Sequence, residues 1–396
     1  MIDNDDFFVE VDSCQLCEAG QNVSGDVCLH HKTDDRIITV LSDGAGSGVG
    51  ASVVASVIAS MVISYARLDE DMMRAARTVI GTFARGDRLS DLRQATFTIV
   101  NITPYDGVVR IVEFENPRVV VMRGDRILDL TRCRQPVDCP DGSTIDIFLT
   151  RFTAGVEDRI VAYTDGVIQS GAGSRRMPDG WGDGGVAGML AQSVAADPGI
   201  SAGELARRVV SHAEMNDLFV VKNDMSCTVV YFRRPRKVLV VTGPPFDGDK
   251  DAMLAERVRS FDGKVIVSGG TTAQILSREL GREVSQVLRR DPSGLPPESS
   301  MEGCALVTEG VLTLGRVKGL LDTMKSSRVE PKGIDSRYVA LLLDGDQIEF
   351  IVGTRVNTQH HDPNLPVEIE LRRGVVRDIA RTLETKFMKR VSISYI

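Results

Sequence analysis

The alternation of apolar and polar positions forms its clearest pattern between residues 36 and 66. Arg36 to Leu41 is rich in apolar and β-branched residues, which is typical of a buried strand, and an acid follows at Asp43. The glycines after it predict a tight turn, and the small apolar residues from about Val49 to Ala66 predict a long helix packed closely on a sheet. An acid at a strand end, beside a flexible backbone, can offer a carboxylate and a carbonyl oxygen to one cation.

Short apolar segments separated by turn residues continue to about residue 233, with few helical patterns between them. The predicted strands are Phe7–Val11, Val27–His30, Ala95–Asn101, Val108–Val112, Val119–Met122, Arg126–Leu128, Ile145–Phe152, Arg159–Tyr163 and Ser226–Arg233. Further helices are predicted at 68–84 and from Ala202 to Glu214, and Gly171–Gly185 is predicted as an exposed, mobile glycine-rich loop. Many strands and few helices predict an α+β fold of two stacked antiparallel sheets with helices outside.

The basic segment Arg233–Lys237, which contains a proline, predicts a domain boundary, with one domain at 1–235 and another at 236–396. Strands and helices alternate after it, which predicts a smaller α/β domain with a parallel sheet. Its predicted strands are Val238–Val241, Lys264–Val267, Cys304–Val307, Val339–Leu343 and Ile348–Val352, and its predicted helices are Asp251–Phe261, Thr272–Leu280 and Gly374–Lys386. The pattern leaves the role of this domain open between regulation and ligand binding.

Composition narrows the class of protein. The chain has 396 residues, 42% hydrophobic and 26% charged, which is ordinary for soluble globular proteins. Its net charge of −8 argues against nucleic acid as a partner. Seven cysteines without framework-like spacing, and an acidic N-terminus unlike a signal peptide, predict a cytoplasmic protein. The apolar run Ala51–Ala66 is shorter than the ~20 residues of a bilayer span, so no membrane association is predicted.

Four aspartates form the main candidate for chemistry: Asp26, Asp43, Asp165 and Asp224. Each lies in a short turn that contains Gly, Ser or Asn, at the edge of a predicted strand. Carboxylates gathered in one cleft repel each other unless a cation lies between them, and an all-oxygen site suits Mg²⁺ or Mn²⁺. Any one of these turns alone is more simply structural, because Asp-Gly commonly marks a turn.

Two smaller motifs are weaker candidates. Ser268-Gly269-Gly270-Thr271-Thr272 follows a predicted strand and opens a helix, so its backbone N–H groups could bind an anion, although a tight strand-to-helix turn explains the residues equally well. Cys14 and Cys17 have the spacing of a metal or redox pair, but they lie in a predicted strand, where residues three apart point to opposite faces.

A family resemblance rests on four motifs taken together. They are Val23-Ser24-Gly25-Asp26, Leu41-Ser42-Asp43-Gly44-Ala45-Gly46-Ser47-Gly48, Tyr163-Thr164-Asp165-Gly166-Val167-Ile168-Gln169-Ser170 and Asn223-Asp224-Met225-Ser226. In order and spacing the chain resembles the metal-dependent protein phosphatases, most of all the bacterial branch typified by stage II sporulation protein E. Phe114-Glu115-Asn116-Pro117-Arg118-Val119 resembles a strand and turn of the same branch. The resemblance covers roughly residues 5–233.

The resemblance implies a four-layer αββα sandwich and the dephosphorylation of phosphoserine or phosphothreonine in a protein substrate, as part of bacterial signalling. It implies two Mn²⁺ or Mg²⁺ ions that Asp43 bridges, with the Gly44 carbonyl on one of them. It further implies that Asp165 and Asp224 ligate the other ion, that Asp26 joins directly or through a water, and that a metal-bridging water attacks phosphorus.

Asn223 stands where this branch commonly has a further aspartate. That departure motivates an alternative hypothesis, in which the chain is a non-catalytic signalling module that keeps the fold and binds a phosphoprotein or a small ligand. Regulation is expected through the C-terminal half or through oligomerisation, of which a homodimer is the simplest form.

Overall fold

The structure is a computed structural model that divides into two compact units, Met1–Arg234 and Pro235–Ile396. The residues it describes are 7–33, 35–44, 46–67, 72–83, 95–138, 144–286, 291–324, 329–355, 365–387 and 389–396. Parts of the predicted helix at 68–84, namely 68–71 and 84, lie outside the described residues.

A six-stranded antiparallel sheet forms one half of the sandwich in the first unit. Its strands are β2 (Val27–Lys32), β3 (Ile37–Asp43), β4 (Thr96–Thr103), β5 (Val108–Phe114), β8 (Arg132–Asp138) and β9 (Thr144–Thr153), in the order β2-β3-β4-β5-β9-β8. The central strands β3 and β4 are buried on both faces, as their nearly continuous apolar and β-branched sequences require.

A five-stranded antiparallel sheet forms the other half. Its strands are β1 (Phe8–Leu16), β6 (Val120–Arg123), β7 (Arg126–Ile127), β10 (Asp158–Tyr163) and β11 (Met225–Arg233), in the order β1-β11-β10-β6-β7. Every residue of β10 and β11 is buried. These two strands carry the candidate acids of the second half of the unit on the turns at their ends.

Among the residues that the structure describes, five helices lie outside the two sheets of the first unit. They are α1 (Gly48–Arg67), α2 (Met72–Phe83), α3 (Asp165–Gln169), α4 (Gly182–Ala196) and α5 (Ala202–Asn216). Apolar residues of α1 and α2 pack with the outer face of the six-stranded sheet, and those of α4 and α5 pack with the five-stranded sheet. A third apolar cluster lies between the two sheets. The layers are therefore αββα, which confirms the predicted fold class.

Helix α1 packs closely on its sheet because small residues line its inner face. Ala51, Ala55 and Ala59 recur every four residues and are all buried. Within the described residues, the segment Gly48–Tyr65 is the one helix that is long and apolar enough to cross a bilayer. The sheet covers its alanine face, while Val49, Val53 and Val57 are exposed and 33% of the segment is buried.

The second unit is built on a seven-stranded, mostly parallel sheet. Its strands are β12 (Lys237–Thr242), β13 (Lys264–Ser268), β14 (Val284–Gln286), β15 (Ser299–Met301), β16 (Leu306–Thr308), β17 (Gln347–Val352) and β18 (Arg390–Tyr395), in the order β14-β15-β16-β13-β12-β17-β18. Helices α6 (Asp251–Arg259) and α7 (Gly270–Leu280) cover one face, and α8 (Val311–Thr323), α9 (Ile334–Asp344) and α10 (Leu365–Phe387) cover the other. This is the predicted smaller α/β fold.

Two predicted elements are wrong. Val339–Leu343 is part of helix α9 and not a strand, because a short, fully apolar run suits a buried helix as well as a buried strand. The predicted loop Gly171–Gly185 ends early, since α4 begins at Gly182 despite its four glycines. Helix α4 is held by tertiary packing of Val186, Leu190 and Val194, which overrides poor helix propensity.

Candidate metal centre

The topology brings all four aspartates to one edge of the sandwich. Asp43 is the last residue of β3 and Asp26 immediately precedes β2, which pairs with β3 so that Val27 lies opposite Ser42. In the other sheet, Asp165 follows β10 and Asp224 precedes β11, and those strands also pair antiparallel. Strand pairing thus places the acids two by two at neighbouring strand ends.

A hydrogen-bond network joins the two pairs through Thr164, which is fully buried. Thr164 Oγ1 donates to Asp26 Oδ2 at 2.8 Å and accepts from the Ser226 backbone N–H at 3.0 Å. Gln15 Nε2 donates to the Asp26 carbonyl oxygen at 3.1 Å. Thr164 stands at the N-cap of α3 but makes no side-chain cap, because its hydroxyl is engaged by Asp26 instead.

Asp26 and Asp43 both have a raised pKa, as expected for carboxyl groups without a nearby positive charge. Burial raises the pKa of Asp26, which is 3% exposed, to about 6, although the Thr164 hydroxyl, which donates to Oδ2, opposes the rise. Burial, followed by the negative charges of Asp26 and Asp165, raises the pKa of Asp43 to about 9. Asp26 Oδ1 is buried and has no hydrogen-bond partner in the described part of the chain.

The other two acids are held by hydrogen bonds. Asp224, which is 2% exposed, accepts the Glu18 N–H on Oδ1 at 2.9 Å and the Gly25 N–H on Oδ2 at 2.8 Å. Asp165 accepts from Asn223 Nδ2 at 3.0 Å on Oδ1 and from Gln169 on Oδ2. Each oxygen keeps a second lone pair, so these contacts orient the carboxylates without using up their acceptor capacity.

No group of three or more His, Cys, Asp and Glu side chains among the described residues has the preformed spacing of a metal site. The acids are nevertheless coupled, because Asp26, Asp165 and Asp224 all raise the pKa of Asp43. The unpartnered Asp26 Oδ1 and the all-oxygen donor set fit a hard divalent cation. The residues present therefore suit Mg²⁺ or Mn²⁺, which would relieve the repulsion between the acids.

Two glycines of the predicted motifs are required by close approach. A Cβ on Gly44 would lie 2.2 Å from the Ala51 carbonyl oxygen, so any side chain there would separate β3 from α1. A Cβ on Gly166 would lie 2.1 Å from the Asp224 carbonyl oxygen, so this glycine lets the Asp165 and Asp224 turns touch. The Asp-Gly pairs therefore hold the acids together, beyond marking turns.

Sequence reasoning missed two supporting residues. Thr164 lies directly before Asp165-Gly166, where a threonine is read as an ordinary helix cap. The sequence indicates only that Asn223 replaces an aspartate. In the structure its amide donates to Asp165, and its Oδ1 accepts the Asp224 N–H at 2.9 Å. An aspartate at 223 could not donate to Asp165, so the asparagine orients that carboxylate.

The predicted anion site in the second unit lies at the start of α7. Gly269 has φ of 134°, which favours glycine, and Gly270 is the first residue of the helix. Thr272 Oγ1 is buried, has no partner in the described part of the chain, and lies 3.3 Å from where a Gly269 Cβ would be. Thr271 is the second helical residue. Glu309 Oε1 approaches the same helix end, 3.9 Å from a Gly270 Cβ position.

Cys14 and Cys17 lie on either side of the end of strand β1. Cys14 lies in β1, opposite Cys227 of β11, and Cys17 follows the last residue of β1. Both are free thiols, and burial raises the pKa of each.

The match to a known protein family falls within the first unit. The family model of stage II sporulation protein E (SpoIIE) matches residues 33–233. Among solved structures, the chain is similar to the phosphatase domain of the cell fate determinant SpoIIE from Bacillus subtilis, at 14% identity over 58% of this chain and 94% of that one, with a TM-score of 0.44. It is also similar to the RsbU and RsbW domains of a Mycobacterium tuberculosis protein, at 18% identity over 63% and 67%, with a TM-score of 0.45.

A third similar structure is the catalytic domain of the serine threonine protein phosphatase PstP in complex with two manganese ions. It is 13% identical over 57% of this chain and 99% of that one, with a TM-score of 0.39. Among curated protein sequences there is no significant match.

Proposed function

Because this chain belongs to the stage II sporulation protein E (SpoIIE) family, we propose that it is a metal-dependent protein serine/threonine phosphatase. The observation that carries the proposal is the pair Asp26 and Asp43. Both carboxylates have a raised pKa, and Asp26 keeps one buried oxygen without a donor. A carboxylate withdrawn from water without a donor or a counter-charge is unfavourable as an anion, and a bound cation would stabilise it.

In this proposal Asp26, Asp43, the Gly44 carbonyl, Asp165 and Asp224 hold two Mn²⁺ or Mg²⁺ ions. The metal, when bound, supplies Lewis acidity to the phosphoryl group and an activated water as nucleophile.

The hydrogen bonds of the chain orient the carboxylates that would hold the ions. Thr164 occupies Asp26 Oδ2 and leaves Oδ1 for the cation, and Asn223 holds Asp165 in place by donating to its Oδ1. The Glu18 and Gly25 N–H groups fix Asp224. The substrate would be a phosphoprotein, and we keep a cytoplasmic location as part of the proposal.

Hydrolysis of a phosphoserine peptide tests the proposal. We expect phosphate release with manganese, none in excess chelator, and none from Asp43→Asn, while the exposed turn residue Asp125 provides the matched control Asp125→Asn. Calorimetric titration of the protein with manganese distinguishes the phosphatase from the non-catalytic signalling module. A folded protein that fails to bind manganese at millimolar concentration would favour the signalling-module hypothesis over the phosphatase.

We further propose that the second unit binds an anionic ligand at Gly269, Gly270, Thr271 and Thr272. Support comes from the helix N-terminus together with the buried, unpartnered Thr272 hydroxyl. Calorimetric titration of the full chain with inorganic phosphate in chelator should give binding that Thr272→Val weakens. Equal binding by both proteins would contradict a site at this helix and would leave the phosphatase proposal untouched.

A further inference from the structure

An exposed apolar surface lies at the C-terminal end of α5, and we call it the 218 surface. It consists of Met215, Leu218, Phe219 and Val220. Leu218 is 81% exposed, Phe219 is 70% exposed and Val220 is 60% exposed, so three bulky apolar side chains in succession face solvent. Single exposed apolar residues are ordinary, whereas contiguous ones commonly mark a contact surface.

The backbone of this surface is unfavourable for the residues it carries. Leu218 has φ of 56° and Phe219 has φ of 64°, both in the left-handed region that favours glycine or asparagine. Backbone hydrogen bonds hold the turn, including Phe219 N–H to the Glu214 carbonyl at 2.9 Å. The side chains of Leu218 and Phe219 are exposed and their backbone conformation is unfavourable, so local stability does not explain their presence.

The 218 surface is tied directly to the candidate metal centre. Buried Asp217 accepts the Gly171 N–H at 2.8 Å on one oxygen and the Lys222 N–H at 3.2 Å on the other. The next residue, Asn223, donates to Asp165. One short segment therefore exposes the apolar side chains, anchors the loop after α3 and orients a candidate metal ligand.

The charge around this surface is opposite to that of the whole chain. Exposed charged residues of 171–180 and 216–222 are Arg175, Arg176 and Lys222 on the basic side and Asp179 on the acidic side. Buried Asp217 lies in the same ranges, and its Oδ1 is 3.6 Å from Lys222 Nζ. Three positive charges minus the two negative charges of Asp179 and Asp217 leave +1, on a chain whose net charge is −8. Lys222 Nζ also donates to the Ala172 carbonyl at 3.2 Å, which joins the two loops. An anionic partner is favoured at this face.

We propose that the 218 surface docks the segment of the protein substrate that flanks its phosphorylated serine or threonine. The matching segment carries an apolar side chain, which covers Leu218 and Phe219, and acidic residues, which face Arg175 and Arg176. This inference rests on the proposed phosphatase function and adds the class of sequence that the site selects.

Two synthetic phosphoserine peptides test the proposal on the full chain. One has leucine and aspartate residues beside the phosphoserine, and the other has lysine and serine residues in the same positions. The variant Leu218→Asn/Phe219→Asn replaces the two most exposed residues of the 218 surface with asparagine, which tolerates the left-handed conformation. We expect its kcat/KM for the leucine-aspartate peptide to fall about tenfold, while hydrolysis of p-nitrophenyl phosphate stays within about twofold.

Tyr105→Asn is the matched control. Tyr105 is an exposed aromatic in the turn after β4, whereas Asp43 pairs with the first residue of that strand, so the two lie at opposite ends. Wild-type protein that hydrolyses p-nitrophenyl phosphate but prefers neither peptide would overturn the docking proposal. Absence of all hydrolysis would instead contradict the phosphatase function.

Peptide binding keeps the two proposals distinguishable. Fluorescence anisotropy of labelled peptides, measured in chelator, requires no catalysis. The wild type should bind the leucine-aspartate peptide more tightly than the lysine-serine peptide, and Leu218→Asn/Phe219→Asn should lose that preference. Equal binding by wild type and variant would overturn the docking surface whatever the outcome of the activity assay.

Discussion

Asp43→Asn should stabilise the metal-free protein, although it removes a residue placed at the centre of the proposed function. Burial and the charges of Asp26 and Asp165 raise the pKa of Asp43 in the folded state to about 9, from an ordinary value near 3.8. Between those two pH values the folded state holds a proton that the unfolded state has lost. The free energy of unfolding of the wild type therefore falls as pH rises through this window.

The magnitude follows from one retained proton, which changes the unfolding free energy by at most about 1.4 kcal/mol per pH unit. Between pH 5 and pH 8 this amounts to about 2–4 kcal/mol, once the coupling to Asp26 is allowed for. Asparagine carries no charge, so Asp43→Asn should lose most of this slope. Below pH 4 the two proteins should approach equal stability, because Asp43 is then protonated in both states.

Urea unfolding in excess chelator measures this difference at a series of pH values. The chain has one tryptophan, Trp181, which lies in the first unit and stacks on His212. Its fluorescence therefore reports the unfolding of the unit that contains Asp43. Parallel pH profiles for wild type and Asp43→Asn would refute the reasoning, since the Asp43 carboxyl would then have an ordinary pKa in the fold.

Three further predictions test the rest of the site. Asp224→Asn should destabilise the metal-free protein by about 2 kcal/mol, because the amide NH₂ would face one of the N–H groups of Glu18 and Gly25. An unchanged free energy of unfolding in urea would contradict this. Gly166→Ala should cost more than about 2 kcal/mol, since its Cβ would lie 2.1 Å from a carbonyl oxygen, and an unchanged thermal midpoint would exclude that contact. Manganese affinity should rise up to about tenfold per pH unit between pH 7 and pH 8.5, because Asp43 must lose its proton to bind the ion. Calorimetry should detect the released proton, and a pH-independent affinity would argue against Asp43 as a ligand.

The layers of the first unit could be predicted from sequence because local and tertiary preferences agree there. Strand β3 is apolar and β-branched, it ends at an acid, and the small residues of α1 suit close packing on a sheet. The run Val339–Leu343 was misassigned for the opposite reason. Its five apolar residues carry no periodicity, so only the surrounding sheet decides that they form a helix.

The acids of the candidate site could be located from their turns, but their environment could not. Nothing in the sequence says that the Thr164 hydroxyl turns from its own helix to Asp26, or that Asn223 donates to Asp165. The Asn223 contact depends on the register between β10 and β11, and the Thr164 contact depends on how the two sheets pack, neither of which a single sequence reveals. The left-handed backbone at Leu218 and Phe219 is equally hidden, because apolar residues rarely adopt it.

Phosphate release from a phosphoserine peptide, measured across a manganese titration, tests the central claim most directly. The account predicts a rate that rises with manganese and saturates for the wild type and for Asp125→Asn, and no release above background for Asp43→Asn. Full activity of the wild type in excess chelator, or of Asp43→Asn at saturating manganese, would contradict it.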